Sequence, residues 1–147
     1  MTTELCENPQ LRASHSAQRA TILIVDDDAA LADVLSVRLR RQGYDTIVAT
    51  SGGAGLAMVA TDRPDLVVLD LRLPDIDGMN ICEQLTDSPN TCHIPVIILS
   101  GMERPDIIRR SRAAGCQYFV RKPYDPNALL LLIQHSLQGA SDWHVAT

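Results

Sequence analysis

Four places along this chain carry residues able to do chemistry together: the run Asp26-Asp27-Asp28, then Asp70, Ser100 and Lys122. The first three stand directly after solid apolar runs, Ile22-Leu23-Ile24-Val25, Leu66-Val67-Val68-Leu69 and Val96-Ile97-Ile98-Leu99, and Lys122 follows Phe119-Val120-Arg121. Carboxylates gathered in one place repel each other and favour protons unless a cation offsets their charge. A hard divalent ion does this well. Magnesium takes oxygen ligands in an octahedron and keeps several waters, whose places phosphoryl oxygens can fill. A carboxylate beside such an ion can attack phosphorus and form an acyl phosphate, while an ammonium offsets charge on the transferring group. Simpler readings compete, because an aspartate near a helix start caps it and favours its positive end, and most lysines are solvated. One aspartate suffices for a cap, and three exceed that need. The proline after Lys122 points to a special loop geometry that admits a cis bond.

These residues need a scaffold that gathers them. The solid apolar runs read as strands buried on both faces, and residues 44–49 and 117–120 are weaker strand segments bounded by Gly43 and Gly115. Between the strands, Leu31, Val34, Leu35 and Leu39 recur at spacings of three and four, which predicts an amphipathic helix with these residues as its apolar stripe. Further helices are predicted over residues 53–62, 78–85, 105–114 and 126–137, with Ser51 and Asp77 as N-caps. Strand and helix alternate throughout, so the expected class is α/β: a five-stranded parallel sheet, doubly wound through right-handed crossovers, with five flanking helices. Ligands of such sheets bind beyond the carboxyl ends of the strands, where the polar residues named above stand.

The length of 147 residues suits one domain. Residues 1–20 lack any periodic pattern and read as a flexible extension, residues 21–138 as the domain, and residues 139–147, carrying Trp143, as a polar tail. With 46% hydrophobic and 21% charged residues the composition is that of a packed globular chain, and a net charge of −5 argues against direct nucleic-acid binding. Cys6, Cys82, Cys92 and Cys116 form no Cys-x-x-Cys pair, so reduced thiols are expected; Cys92 beside His93 has no second pair at metal-ligand spacing. The chain shows neither a signal-peptide core nor an apolar run near the ~20 residues of a membrane span, so a cytoplasmic location without membrane contact is expected.

Taken together, Ile-Leu-Ile-Val-Asp26-Asp27, Leu-Val-Val-Leu-Asp70, Val-Ile-Ile-Leu-Ser100 and Phe119-Val-Arg-Lys122-Pro123 make residues 21–138 resemble the receiver domain of two-component response regulators. Each run alone is a weak signal, whereas four in this order at these separations are specific. Leu73-Pro74-Asp75-Ile76-Asp77-Gly78 also resembles the family's loop after the acceptor. The resemblance implies a flavodoxin-like sheet in the order 2-1-3-4-5 and casts Asp70 as phosphoacceptor. It implies Mg²⁺ held by Asp27 directly, by Asp26 through water, by Asp70 and by the backbone carbonyl of Arg72. Ser100 and Lys122 would hold phosphoryl oxygens, and Phe119 matches an aromatic whose inward or outward rotamer reports the state of the serine. The family often has tyrosine there. The implied partners are a sensor histidine kinase or phosphotransfer protein and a downstream protein effector, and receivers often pair through the fourth helix, fifth strand and fifth helix. Here that face includes Arg104, Arg109, Arg110, Arg112 and Arg121.

Other residues read as structural. Asp75 and Asp77 suit turns and caps, Leu129 to Ile133 suits a core helix, and His15, His93, His135 and His144 have no triad-like setting. Competing functions have weaker support. A flavin or nucleotide binder needs glycines and donors where this chain has three aspartates. A metal-dependent phosphohydrolase needs a base to activate water. A degenerate receiver that works as a phosphorylation-independent interaction module would lack an essential residue, and each one is present.

Overall fold

The computed structural model describes residues 19–101, 104–138 and 144–146. The expected extension over residues 1–20, apart from its last two residues, lies outside them, as do Cys6, His15, Trp143 and most of the tail over residues 139–147.

The strands are β1 (Thr21–Val25), β2 (Asp45–Ala49), β3 (Leu66–Asp70), β4 (Val96–Ser100), β5 (Tyr118–Arg121) and β6 (His144–Ala146). The helices are α1 (Ala29–Arg41), α2 (Gly52–Asp62), α3 (Gly78–Asp87), α4 (Pro105–Ala113) and α5 (Pro126–Leu137). All strand pairings are parallel, in the order β2-β1-β3-β4-β5-β6. The expected order of the first five strands holds. Side chains alternate across the sheet with a period of two, so each strand feeds two cores. Leu23, Val25, Val67, Leu69, Ile98 and Phe119 pack on one face with Val59 of α2, Ile81 of α3 and Ile107 of α4. Ile22, Ile24, Val68, Ile97 and Leu99 pack on the other with Leu35 and Leu39 of α1 and Leu129 and Ile133 of α5. Burial on both faces is why these strands read as unbroken apolar runs.

Capping sets where the helices begin. Ser51 and Asp77 accept from the amides of Ala54 and Met79, as their positions predict. Gly43 (φ +96°) and Gly115 (φ +99°) end α1 and α4 in the left-handed conformation that glycine adopts without a side-chain clash. After Gly43, the Tyr44 amide returns to the Leu39 carbonyl at 3.2 Å and sends the chain into β2.

Three expectations need correction. First, α1 buries Ala32, Leu35, Ser36 and Leu39, whereas Leu31 and Val34 are 53% and 60% exposed. The apolar stripe is wider than the face that the sheet can cover, and the buried arc runs through residue 36, whose hydroxyl lies 2.5 Å from that of Thr46. Second, His144–Ala146 form a sixth strand, with Tyr118 facing His144 in register. The outer edge of β5 offers unpaired backbone groups, and a three-residue strand leaves almost no pattern in a sequence. Third, Cys92 is disulfide-bonded, while Cys82 and Cys116 are free and buried. No helix among the described residues is long and apolar enough to cross a membrane.

Candidate functional site

The carboxyl ends of β1, β3, β4 and β5 converge at one edge of the sheet. β1 delivers Asp26, which is 5% exposed; Asp27, the next residue, is exposed, and β3 delivers Asp70 at 6%. One ligand-capable oxygen from each of these carboxylates lies within 4.8 Å of the others, a spacing compatible with a shared cation. The run of three aspartates divides its labour. Asp28 is the N-cap of α1, accepting from the Leu31 amide at 3.2 Å, and its own amide donates to Asp26 Oδ1 at 2.9 Å. The capping interpretation is therefore right for Asp28 alone, and Asp26 is held in position by the helix start that Asp28 nucleates.

Asp70 is gripped on both oxygens. The Arg72 amide donates to Oδ1 at 2.9 Å and the Lys122 ammonium to Oδ2 at 2.7 Å. Lys122 Nζ also lies 3.5 Å from Asp26 Oδ2, so one cation faces two of the three carboxylates. The Lys122-Pro123 bond is cis. The Lys122 amide donates to the Ser100 carbonyl at 2.8 Å, which ties the lysine's backbone to the end of β4. Ser100 is 1% exposed, and Leu99 before it faces Asp70 in the sheet register.

Electrostatics follow from this crowding. Burial pushes the Asp26 carboxyl above the usual range; the Asp28 amide and the Lys122 ammonium pull it back, and the Asp70 charge pushes it up again. Burial alone would lower the Lys122 ammonium, but its hydrogen bond to Asp70 and the charges of Asp70 and Asp26 outweigh that, and it is held above its ordinary value. Three carboxylates against one ammonium leave a formal excess of two negative charges, and a dication would neutralise it.

Around this pocket the structure gives Gly78 and Asp75 a part in positioning Asp70 and the loop after it. A side chain on Gly78 would meet the Asp70 carbonyl at 2.6 Å and Leu71 Cα at 2.7 Å, so only glycine lets α3 begin against the acceptor strand. The motif Asp77-Gly78 was the available signal. Asp75 accepts from the amides of Gly52 and Gly53 at 2.8 and 2.9 Å, fastening the loop after Asp70 to the start of α2. Those amides hold its carboxyl below the usual range. Nothing in the local sequence announces a cap that comes from more than twenty residues away. Phe119 is fully buried, with its ring in the core that α2, α3 and α4 cover. Its neighbour Tyr118 points to the opposite core and shares a 2.8 Å hydrogen bond with His135 Nδ1, giving that histidine a structural partner.

Residues 22–134 match the family pattern of the response regulator receiver domain. This chain belongs to the response regulator receiver domain family. The receiver is 34% identical over 117 residues to the DNA-binding dual master transcriptional regulator RpaA of Synechocystis, a match covering 80% of this chain and 48% of that protein. It is 38% identical over 107 residues to the response regulator PleD of Caulobacter vibrioides, covering 72% of this chain and 23% of that protein. The chain thus spans about half or less of the length of these curated relatives. Among solved structures, a CheY-like receiver domain protein from Methanospirillum hungatei superposes with a TM-score of 0.79 at 30% identity, covering 83% of this chain and 96% of that one. A putative response regulator from Chloroflexus aurantiacus gives 0.77 at 29% identity, covering 84% and 100%.

Proposed function

We propose that this receiver takes a phosphoryl group onto Asp70 from a phosphohistidine of a sensor kinase or phosphotransfer protein, or from a small phosphodonor, and signals by protein contact in the cytoplasm. The observation that carries the reading is the environment of Asp70, whose Oδ1 is fixed by the Arg72 amide and whose Oδ2 meets Lys122, beside two further carboxylates. In the transfer, a carboxylate oxygen of Asp70 forms the new bond to phosphorus as the phosphorus–nitrogen bond of the donor breaks. The imidazole leaves with that electron pair and takes up a proton. Lys122 holds a phosphoryl oxygen by an ammonium donor, and the Ser100 hydroxyl holds another. The chain's contribution is chiefly position and charge, as phosphoryl transfer demands.

Asp26, Asp27, Asp70 and the Arg72 carbonyl would hold Mg²⁺, and the donor set fits, being all oxygen with an anionic excess. When bound, the ion offsets the negative charge gathered between acceptor and phosphoryl group. Slow hydrolysis of the acyl phosphate resets the domain. Partner recognition is supported by Leu31 and Val34, whose exposed side chains lie in the first turns of α1, close behind Asp26 and Asp27. An apolar ridge beside the acceptor pocket suits the face of a partner helix that carries a phosphohistidine. The outer edge of β5, within the face expected to pair two copies, carries β6, so any pairing there includes or displaces that strand.

The testing experiment is incubation with magnesium and acetyl phosphate followed by intact mass. A gain of one phosphoryl group in the wild type and none in Asp70→Asn supports the reading, and an equal gain in both overturns it.

A further inference from the structure

At the other end of the sheet from Asp70, where the strands begin, the carboxyl-terminal halves of α2 and α3 leave an open groove of about 700 Å³. Leu56, Val59, Leu85 and Ile94 give it an apolar floor, and Arg63 and His93 stand in its polar lining. The turn between α3 and β4 forms one side and is tightly held. Thr91 Oγ1 donates to the Leu85 carbonyl at 2.6 Å, the Thr91 amide to the Ser88 carbonyl at 3.1 Å and the Ile94 amide to the Thr91 carbonyl at 2.9 Å.

The helix that forms the other side has no polar outer face. α2 reads Gly-Gly-Ala-Gly-Leu-Ala-Met-Val-Ala-Thr-Asp, with no charged residue before Asp62 at its end. Gly52, Gly55 and Val59 are buried, whereas Gly53, Ala57 and Ala60 are exposed, and Ala60 lines the groove. A helix covered on one side sets polar residues on the other, and one that is apolar all round is suited to cover on both. The neighbouring α3 follows the first pattern, with Asn80, Glu83, Gln84 and Asp87 exposed. We propose that the α2–α3 groove and the outer side of α2 dock an amphipathic helix of a partner protein. Its apolar side covers Leu56, Ala57 and Ala60, and a carboxylate at its edge meets Arg63.

Charge complementarity sets the acidic partner. Among the described residues no carboxylate lines the groove, and its ionisable residues are Arg63, which is exposed, and His93. Asp62, Asp65 and Asp87 are close in sequence yet do not line it. In a chain of net charge −5 this is a local reversal of sign, which favours an acidic segment and disfavours a basic one. Shape sets the helix. From Leu56 to Arg63 is two turns, roughly 10 Å, so apolar side chains at i, i+3 or i+4, and i+7 fill the space between α2 and α3. A concave floor flanked by two helices takes such a ridge, whereas a bilayer offers a flat surface. The groove lies at the opposite sheet edge from Asp70, so the docking surface does not rest on the acceptor chemistry.

The test uses the whole chain and a synthetic helical peptide with leucines at i, i+3, i+4 and i+7 and glutamates flanking them. Two control peptides carry lysine for glutamate or serine for leucine. The acidic peptide should shift the amides of Leu56, Ala60, Arg63, Leu85 and Thr91 and saturate with a Kd of about 1 mM or tighter. The lysine peptide should bind about threefold more weakly, as an exposed ion pair allows, and the serine peptide should leave these amides in place. Arg63→Asn removes the cation with a residue that tolerates the left-handed backbone (φ 48°) there, and the acidic and basic peptides should then bind alike. Ala57→Glu and Ala60→Glu, at exposed helical positions, should keep the melting temperature and weaken the acidic peptide about tenfold. Absence of saturable shifts at the groove, or shifts confined to Leu31 and Val34, overturns the docking surface. Equal binding of the acidic and basic peptides to the wild type overturns the acidic partner. Groove amides that move with protein concentration alone assign the face to a second copy, and amides moved by phosphatidylcholine vesicles but by no peptide assign it to a membrane; either result overturns the partner helix.

Discussion

Lys122 reaches from the end of β5 across β4 to put its ammonium 2.7 Å from Asp70 Oδ2 at the end of β3. The same nitrogen lies 3.5 Å from Asp26, so this one side chain holds the acidic edge together. Because folding raises the Lys122 value above its ordinary 10.5, its stabilising contribution is fully present below that pH and is lost as pH rises through the folded value. The urea midpoint of the wild type should therefore fall with alkali above about pH 10, and in Lys122→Met that alkaline loss should shrink while the midpoint at neutral pH is already lower. Equal alkaline slopes in both proteins would show that the contact contributes nothing to the fold.

Asp70→Asn keeps the size of the acceptor and the amide contact from Arg72 but replaces a nucleophilic oxygen. It should remain folded, with a melting temperature at or above the wild type because one of three crowded charges is gone, and should take up no phosphoryl group. Intact mass and a melting curve read both properties.

Magnesium should bind the wild type and stabilise it by about 2.7 kcal/mol at a hundredfold excess over Kd. Proton and metal compete for Asp26, whose carboxyl is raised by burial, so the affinity should weaken as pH falls through that raised value, earlier than an ordinary aspartate would dictate. Titrations at several pH values, following the amides of Asp26, Asp27, Asp70 and Arg72, check this. An affinity that is flat down to the ordinary aspartate range would remove Asp26 from the site.

Ser100→Ala should still accept phosphate on Asp70 yet transmit it poorly. Ser100 is the hydroxyl at the end of β4, and its carbonyl is bound by the Lys122 amide, so a phosphoryl contact there pulls on the strand beside Phe119. A phosphoryl group biases the domain only through contacts that are better in one state than in the other. With Phe119 already buried, the relevant readout is a change in its packing and in the helix from Pro105 to Ala113. Amide shifts with and without beryllofluoride measure it, and distant shifts in Ser100→Ala that match the wild type would pass the coupling role to Lys122.

Leu31→Ser and Val34→Ser should each slow phosphotransfer from a protein donor about tenfold, a loss near 1.4 kcal/mol, while leaving uptake from acetyl phosphate unchanged. Both side chains are more than half exposed, so the fold does not depend on them. Slowing with both donors would instead implicate the Asp26–Asp28 turn, which α1 follows.

The sequence alone determined the alternation of elements, the class of sheet, and the set Asp26, Asp27, Asp70, Ser100 and Lys122, because strands buried on both faces are written as solid apolar runs and polar residues at their ends stand out against them. Residue types and spacing by themselves did not divide the aspartate run into a cap and two site residues, a division that only the resemblance implied, since a carboxylate's role depends on which amide or cation lies near it. Asp28 finds the Leu31 amide; Asp26 finds the Asp28 amide and Lys122. Nor could they tell that Leu31 and Val34 face outward, because periodicity marks an apolar stripe but not how much of it the sheet covers. The cap from Asp75 onto α2, the close approach of Gly78 to Asp70, the sixth strand and the disulfide at Cys92 were decided only by the tertiary structure. Each joins residues far apart in the chain or packs them within a bond or a contact, and distance in space is the one quantity that a linear pattern does not carry.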